Sequence, residues 1–150
     1  MNSDFKEMLQ ALNNGGVKYL VVGGWAVGHH SQPRHTKGLD IWIKPDAENA
    51  NRLMNAFSEF GMMLVDIEEC DFAKEGTQYF VGVPPVALDF LTTIEPLDFD
   101  ASWEQRDIGQ MDEVKVNYIG KSDLIESKKA ADRDTDRADI RSLTLLSEDE

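Results

Sequence analysis

Cysteine is almost missing from this 150-residue chain. The one thiol, Cys70, cannot close an intrachain disulfide, which removes the disulfide-stapled secreted class and agrees with a cytoplasmic protein. It sits in the acidic run EECD, whose negative neighbours argue against a reactive thiolate. Long apolar runs are missing too. The longest, such as YLVV and MMLV, fall far short of the ~20 residues that span a bilayer, and no basic-then-apolar signal opens the chain. Basic residues are scarce: 15 Lys and Arg against 28 Asp and Glu leave a net charge of −13. An acidic body repels a phosphate backbone, which disfavours a broad DNA or RNA surface. Repeats, low-complexity segments and linkers are also lacking, so residues 1–150 read as one domain.

The shortage of base is uneven. Residues 1–45 carry five basic and three acidic residues, whereas the remainder carries ten against twenty-five. The part that is not acidic contains the most informative stretch, Tyr19 to Lys44, YLVVGGWAVGHHSQPRHTKGLDIWIK. It opens as a buried strand over Tyr19–Val22, breaks at Gly23-Gly24, continues as a short helix, and ends in a strand over Leu39–Ile43. A glycine pair at a helix start lets backbone N–H groups approach an anion, and the helix terminus adds favourable partial charge.

Helical spacing of Phe5, Met8, Leu9 and Leu12 predicts an opening helix, with Asp4 and Glu7 as a capping box. A helix capped by Asp46 and closed by Gly61 follows, burying Ala50, Leu53, Met54 and Phe57. Met62–Ile67 reads as a strand and EECDFAKEG as polar loop. Gln78–Val83 and Val86–Thr92 read as strands joined through Pro84-Pro85, and Asp98–Arg106 as a short helix. A last strand covers Val114–Ile119; two helices complete the chain, one capped by Ser122 and running through Ala131, the other from about Thr135 to Leu146. Alternating strands and helices make this an α/β (α+β) protein.

Asp40 and Asp89 each lie inside an otherwise apolar strand, where an unpaired carboxylate is costly. Each is open to two readings: an acid bonded to backbone N–H groups or a nearby Lys or Arg, or a ligand for a divalent ion. Their company beside a glycine-pair turn favours the ion. Clustered carboxylates of this kind hold ions that neutralise charge on the attacking and leaving oxygens of phosphoryl transfer. Positions 38 and 40 share a face of the strand, and position 38 is Gly38. His29 and His30 read as structural, because no cysteine or acid stands at ligand spacing around them. Trp25 and Trp42 read as core residues more than as base-stacking platforms.

The segments GGWAV, PRHTKGLDIWI, FVGVPPVALDFLT and LIESKKAADRDTDRADI resemble the polymerase-beta-like nucleotidyltransferase-fold superfamily over roughly residues 17–143. The chain looks most like small bacterial nucleotidyltransferase-like proteins, related to toxin–antitoxin nucleotidyltransferase toxins and more distantly to antibiotic nucleotidyltransferases. The resemblance implies a small mixed sheet flanked by helices. It implies that Gly23 and Gly24 contact a nucleoside triphosphate, and that Asp40 and Asp89 are the catalytic acids and bind Mg2+. Arg34, Thr36 and Lys128 become candidate nucleotide contacts beside His35 and Lys37; Arg34, His35 and Lys37 are about equally readable as cations of a solvated loop, and Lys128 as a surface lysine paired with Asp132 one turn on.

The chain departs from the pattern at Gly38, where the resemblance calls for Asp (KDLDIWI against KGLDIWI). Loss of that acid implies weaker ion binding and a rate lower by roughly 100-fold. It departs again at Asp132 and Asp134, where Gly and Pro are expected, placing extra acid beside Arg133. The implied reaction is transfer of a nucleotidyl group to an acceptor hydroxyl on a small molecule, a protein or a tRNA, with an acid at position 38 or Asp89 as base. The alternative is a non-catalytic nucleotide- or partner-binding module, including a toxin–antitoxin component with a partner protein.

Overall fold

A computed structural model describes residues 2–33 and 36–148. Helix α1 (Ser3–Asn14) leads into strand β1 (Tyr19–Val22), α2 (Gly23–His30), β2 (Gly38–Ile43) and α3 (Ala47–Phe60). A 3₁₀ turn (Glu69–Ala73) precedes the hairpin of β3 (Gln78–Val81) and β4 (Ala87–Leu91). Helix α4 (Phe99–Glu104), a second hairpin of β5 (Asp107–Met111) and β6 (Val114–Tyr118), and helices α5 (Lys121–Ala131) and α6 (Asp134–Glu148) complete the order. The six strands form one mixed sheet, β3-β4-β2-β1-β6-β5. β1 runs antiparallel to β2 and parallel to β6, and β2 runs parallel to β4. No helix among the described residues is long and apolar enough to cross a membrane.

Period-2 alternation divides β2 between two environments. Leu39, Ile41 and Ile43 are wholly buried. Ile41 pairs with Phe90 of β4, whose ring meets Phe57 of α3 edge-on at 5.0 Å. This face of the sheet is the main core, and α1 adds Phe5, Met8, Leu9 and Leu12 to it. Asp40 and Asp89 alternate with those apolar residues and so project on the opposite face.

Several local expectations fail for identifiable reasons. Met62–Ile67 is not a strand: Met63 and Val65 are 85% and 66% exposed, and the segment finds no sheet partner, bonding instead through Val65 N–H to the Tyr79 hydroxyl at 3.2 Å. The polar loop after it contains the 3₁₀ turn, which drives Phe72 fully into the core against Phe57. Asn2 caps α1 by accepting from Asp4 N–H, displacing the Asp4–Glu7 box. Gly120, not Ser122, stands at the N-cap of α5, with no side-chain bond. β5 was not foreseen, since DIGQM carries little apolar content and is ordered by its pairing with β6.

One buried amide ties the two central strands to α3. Asn49 is 2% exposed; its Oδ1 accepts from Lys18 N–H at 2.8 Å, and its Nδ2 donates to the carbonyls of Lys18 and Lys44 at 3.0 Å each. Asn49→Ala strands these backbone groups, and the expected cost is about 1–3 kcal/mol, read as a lower urea midpoint with unchanged slope.

Candidate active site

The site forms where β1 ends. Gly23 takes φ +65°, a left-handed conformation that favours glycine, and thereby turns the chain sharply from β1 into α2. Glycine is required there a second time. A Cβ on Gly23 would stand 2.0 Å from Oδ2 of Asp40, so the carboxylate occupies the space a side chain would fill. Asp40 reaches this position because β2 pairs Asp40 with Val22 on one side and with Asp89 of β4 on the other. Residues in direct register on neighbouring strands share a face about 4.8 Å apart, so the two carboxyls stand side by side. Gln78 of β3 holds Asp89 in place, its Nε2 donating to both carboxylate oxygens at 3.1 and 2.9 Å.

Two acids so placed do not ionise independently. Burial raises the pKa of Asp40 to about 6, the charge of Asp89 raises it further within that value, and Lys128 offsets part of the effect. Burial also raises Asp89, against the Gln78 hydrogen bond. Facing the pair, α5 and α6 supply a charged wall. Asp136, 1% exposed, accepts from Arg133 Nε at 2.7 Å and from Lys128 Nζ at 3.3 Å. Those bonds, the Arg133 one foremost, bring its pKa down to about 2. Lys128 also reaches Asp139 at 3.0 Å. Its partners are therefore Asp136 and Asp139 rather than Asp132, which bonds Arg137 instead. The acids at 132 and 134 likewise serve Arg137, and Arg133 is engaged by Asp136.

These groups surround a cleft of about 530 Å³ whose lining includes Gly23, Gly24, Thr36, Asp40, Asp89 and Lys128. The structure thus brings together every foreseen site residue except Arg34, which with His35 lies outside the described residues. It adds Gln78, Asp136 and Asp139. Strand register determines the contribution of Gln78 and could not be read from the chain; the i, i+3 spacing of Asp136 and Asp139 was a usable signal. Among the charged residues of the lining, Lys128 and Arg133 are already bound to carboxylates, while Asp40 and Asp89 face each other. The carboxylate oxygens of Asp40 and Asp89 are hard donors, the ligand type that fits Mg2+.

Gly38 also lines the cleft, but not as a vacant slot. A Cβ there would stand 2.2 Å from the carbonyl oxygen of Ala87 and 2.8 Å from its carbon. The backbone of β4 stands where a side chain at position 38 would begin.

The histidines behave differently from expectation in one respect. His30 Nε2 meets the Ile119 carbonyl at 2.7 Å, and burial lowers its pKa. His29, however, meets an acid after all: Asp107, from the strand that was not foreseen, lies 2.5 Å from its Nε2. Trp42 is a core residue, 1% exposed and edge-on to Phe99, and Trp25 packs edge-on to Phe5.

Against known proteins, a family model described as aminoglycoside-2''-adenylyltransferase matches residues 4–116, a span that contains Asp40 and Asp89 and stops before α5. Among solved structures, the lincosamide antibiotic adenylyltransferase LnuA, lincomycin-bound, matches with a TM-score of 0.61 at 15% identity, covering 96% of this chain and 96% of that one. At that identity the likeness establishes the nucleotidyltransferase fold alone. No curated protein sequence matches.

Two measurements probe the geometry. Gly38→Asp forces β4 away from β2 and is expected to cost about 1–3 kcal/mol, seen as a lower Tm; an unchanged Tm would show that the strands part freely. For Asp40, a folded-state pKa raised from 3.8 to about 6 means that its contribution to stability is present below about pH 4 and lost as pH rises through about pH 6. Asp40→Asn without divalent ions should therefore raise Tm relative to the parent at about pH 8 but not at about pH 4, and an equal difference at both would contradict the assignment.

Proposed function

The chain belongs to the aminoglycoside-2''-adenylyltransferase family, and from that premise we propose that it transfers the adenylyl group of ATP, with Mg2+, to a hydroxyl of a small antibiotic-like acceptor. The observation that carries this reading is the registered pair Asp40–Asp89 beside the Gly23-Gly24 helix start, with Lys128 across the cleft. The acidic remainder of the chain supports a small acceptor over a tRNA.

In the proposed reaction the acceptor oxygen bonds to the α-phosphorus while the bond from that phosphorus to the bridging oxygen of the β-phosphate breaks, and pyrophosphate leaves. Asp89 takes the hydroxyl proton; burial raises its basicity and Gln78 fixes its direction. The N–H groups of the α2 terminus lie against the phosphates. Lys128, held by Asp136 and Asp139, adds positive charge without swinging away. Bound at Asp40 and Asp89, Mg2+ would supply neutralisation of the triphosphate charge.

A second reading, a nucleotide binder without transfer, is favoured by one observation: β2 offers one carboxylate, Asp40, and the Ala87 backbone fills the space beside Gly38. Incubation with α-labelled ATP, Mg2+ and a panel of aminoglycosides and lincosamides separates the two. Transfer should appear on at least one acceptor and fall by about 10²–10⁴-fold in Asp89→Asn. Mg2+-dependent ATP binding by calorimetry with no label on any acceptor would favour the binder, and absence of ATP binding would sink both.

A further inference from the structure

His29 and His30 end α2, and Asp107 opens β5, 78 positions after His29. The ring of His29 lies flat on Tyr118, centroids 3.9 Å apart and planes 5° apart. Strand β5 is bare where that ring enters: a Cβ on Gly109 would stand 2.8 Å from His29 Cε1 and 3.0 Å from Tyr118 Cε2. Stacking and the missing side chain together fix the ring, and its Nε2 meets Asp107 Oδ2 at 2.5 Å. The neighbouring His30 is fixed by a different means. The Ile119 carbonyl can only accept, so the facing Nε2 carries hydrogen and the lone pair sits on Nδ1. A backbone carbonyl orienting one imidazole nitrogen in this way is the usual support of a metal-binding histidine.

One donor atom from each of His29, His30 and Asp107 lies within 4.8 Å of the others, and among the described residues no other three such groups are as compact. We propose that His29, His30 and Asp107 form a site for a divalent transition metal of the zinc type, separate from the Asp40–Asp89 pair. Two imidazoles and one carboxylate match the ligand set of a three-residue zinc site with water in the fourth position. The set discriminates against Mg2+, which prefers oxygen donors. Ligand atoms on such an ion stand about 3.3 Å apart, and the Asp107 side chain, 53% exposed, is free to rotate into place. An ion bound there takes the place of the hydrogen bond between His29 and Asp107, each of which then directs a lone pair at the metal. Once bound, it fastens the end of α2 to the edge strand β5.

The test is calorimetry with ZnCl2 in excess Mg2+, which occupies the oxygen pair, with Tm followed in parallel. The protein should take up one zinc saturably and gain Tm. His29→Ala and Asp107→Asn should each weaken binding by about tenfold or more, whereas Asp40→Asn and Cys70→Ser should retain it. Asp107→Asn guards against misfolding, since its side chain is exposed, and the metal-free Tm of each variant reports its fold. Absence of saturable uptake, or uptake undiminished in either His29→Ala or Asp107→Asn, overturns the site.

Discussion

Asp40 presses its carboxylate against the bare backbone of Gly23, and that contact constrains both strands meeting there. The turn out of β1 must be left-handed, position 23 must be glycine, and β2 must hold the register that pairs Asp40 with Val22. In the same register Asp40 stands beside Asp89. Two half-buried carboxyls oppose folding when ionised: desolvation raises the pKa of both, and the charge of Asp89 adds to the shift of Asp40. The fold carries this cost through the apolar face on the other side of the same strands, where Leu39, Ile41 and Phe90 are wholly buried.

The opposing wall is built on the reverse logic. Lys128 and Arg133 converge on Asp136, which is almost wholly buried, so their positive charge is balanced within the protein and their heads are held at the rim of the cleft. Rigid charge of this kind would need no reorganisation to meet the phosphates of the proposed nucleotide substrate. The carboxylate pair comes from the sheet and the wall of paired charges from the last two helices; the cleft lies between them.

Much of this was legible in the residues. Acids interrupting apolar strands, the glycine pair after YLVV and the helical stripes of α1 and α3 each follow from burial and backbone sterics. Residues acting across large sequence separations were less legible. Gln78 matters because β3 pairs with β4 in one register; Asn49 bonds backbone groups of two strands; Asp107 reaches His29 through a strand with little apolar signature. Met62–Ile67 had the composition of a strand without a partner to make it one. Gly38 read as a missing acid, but only the structure shows the Ala87 carbonyl standing where its side chain would begin.

The strand order has a consequence for the chain while it is being made. β1 is flanked by β2 and β6 in the finished sheet, yet β6 is synthesised nearly a hundred residues later, after β2, β3 and β4. Until Val114–Tyr118 emerges, one side of Tyr19–Val22 is an open edge, wholly apolar and without a charged residue to discourage pairing with another chain. The nascent protein therefore passes through a stage at which its most buried strand is also its most adhesive.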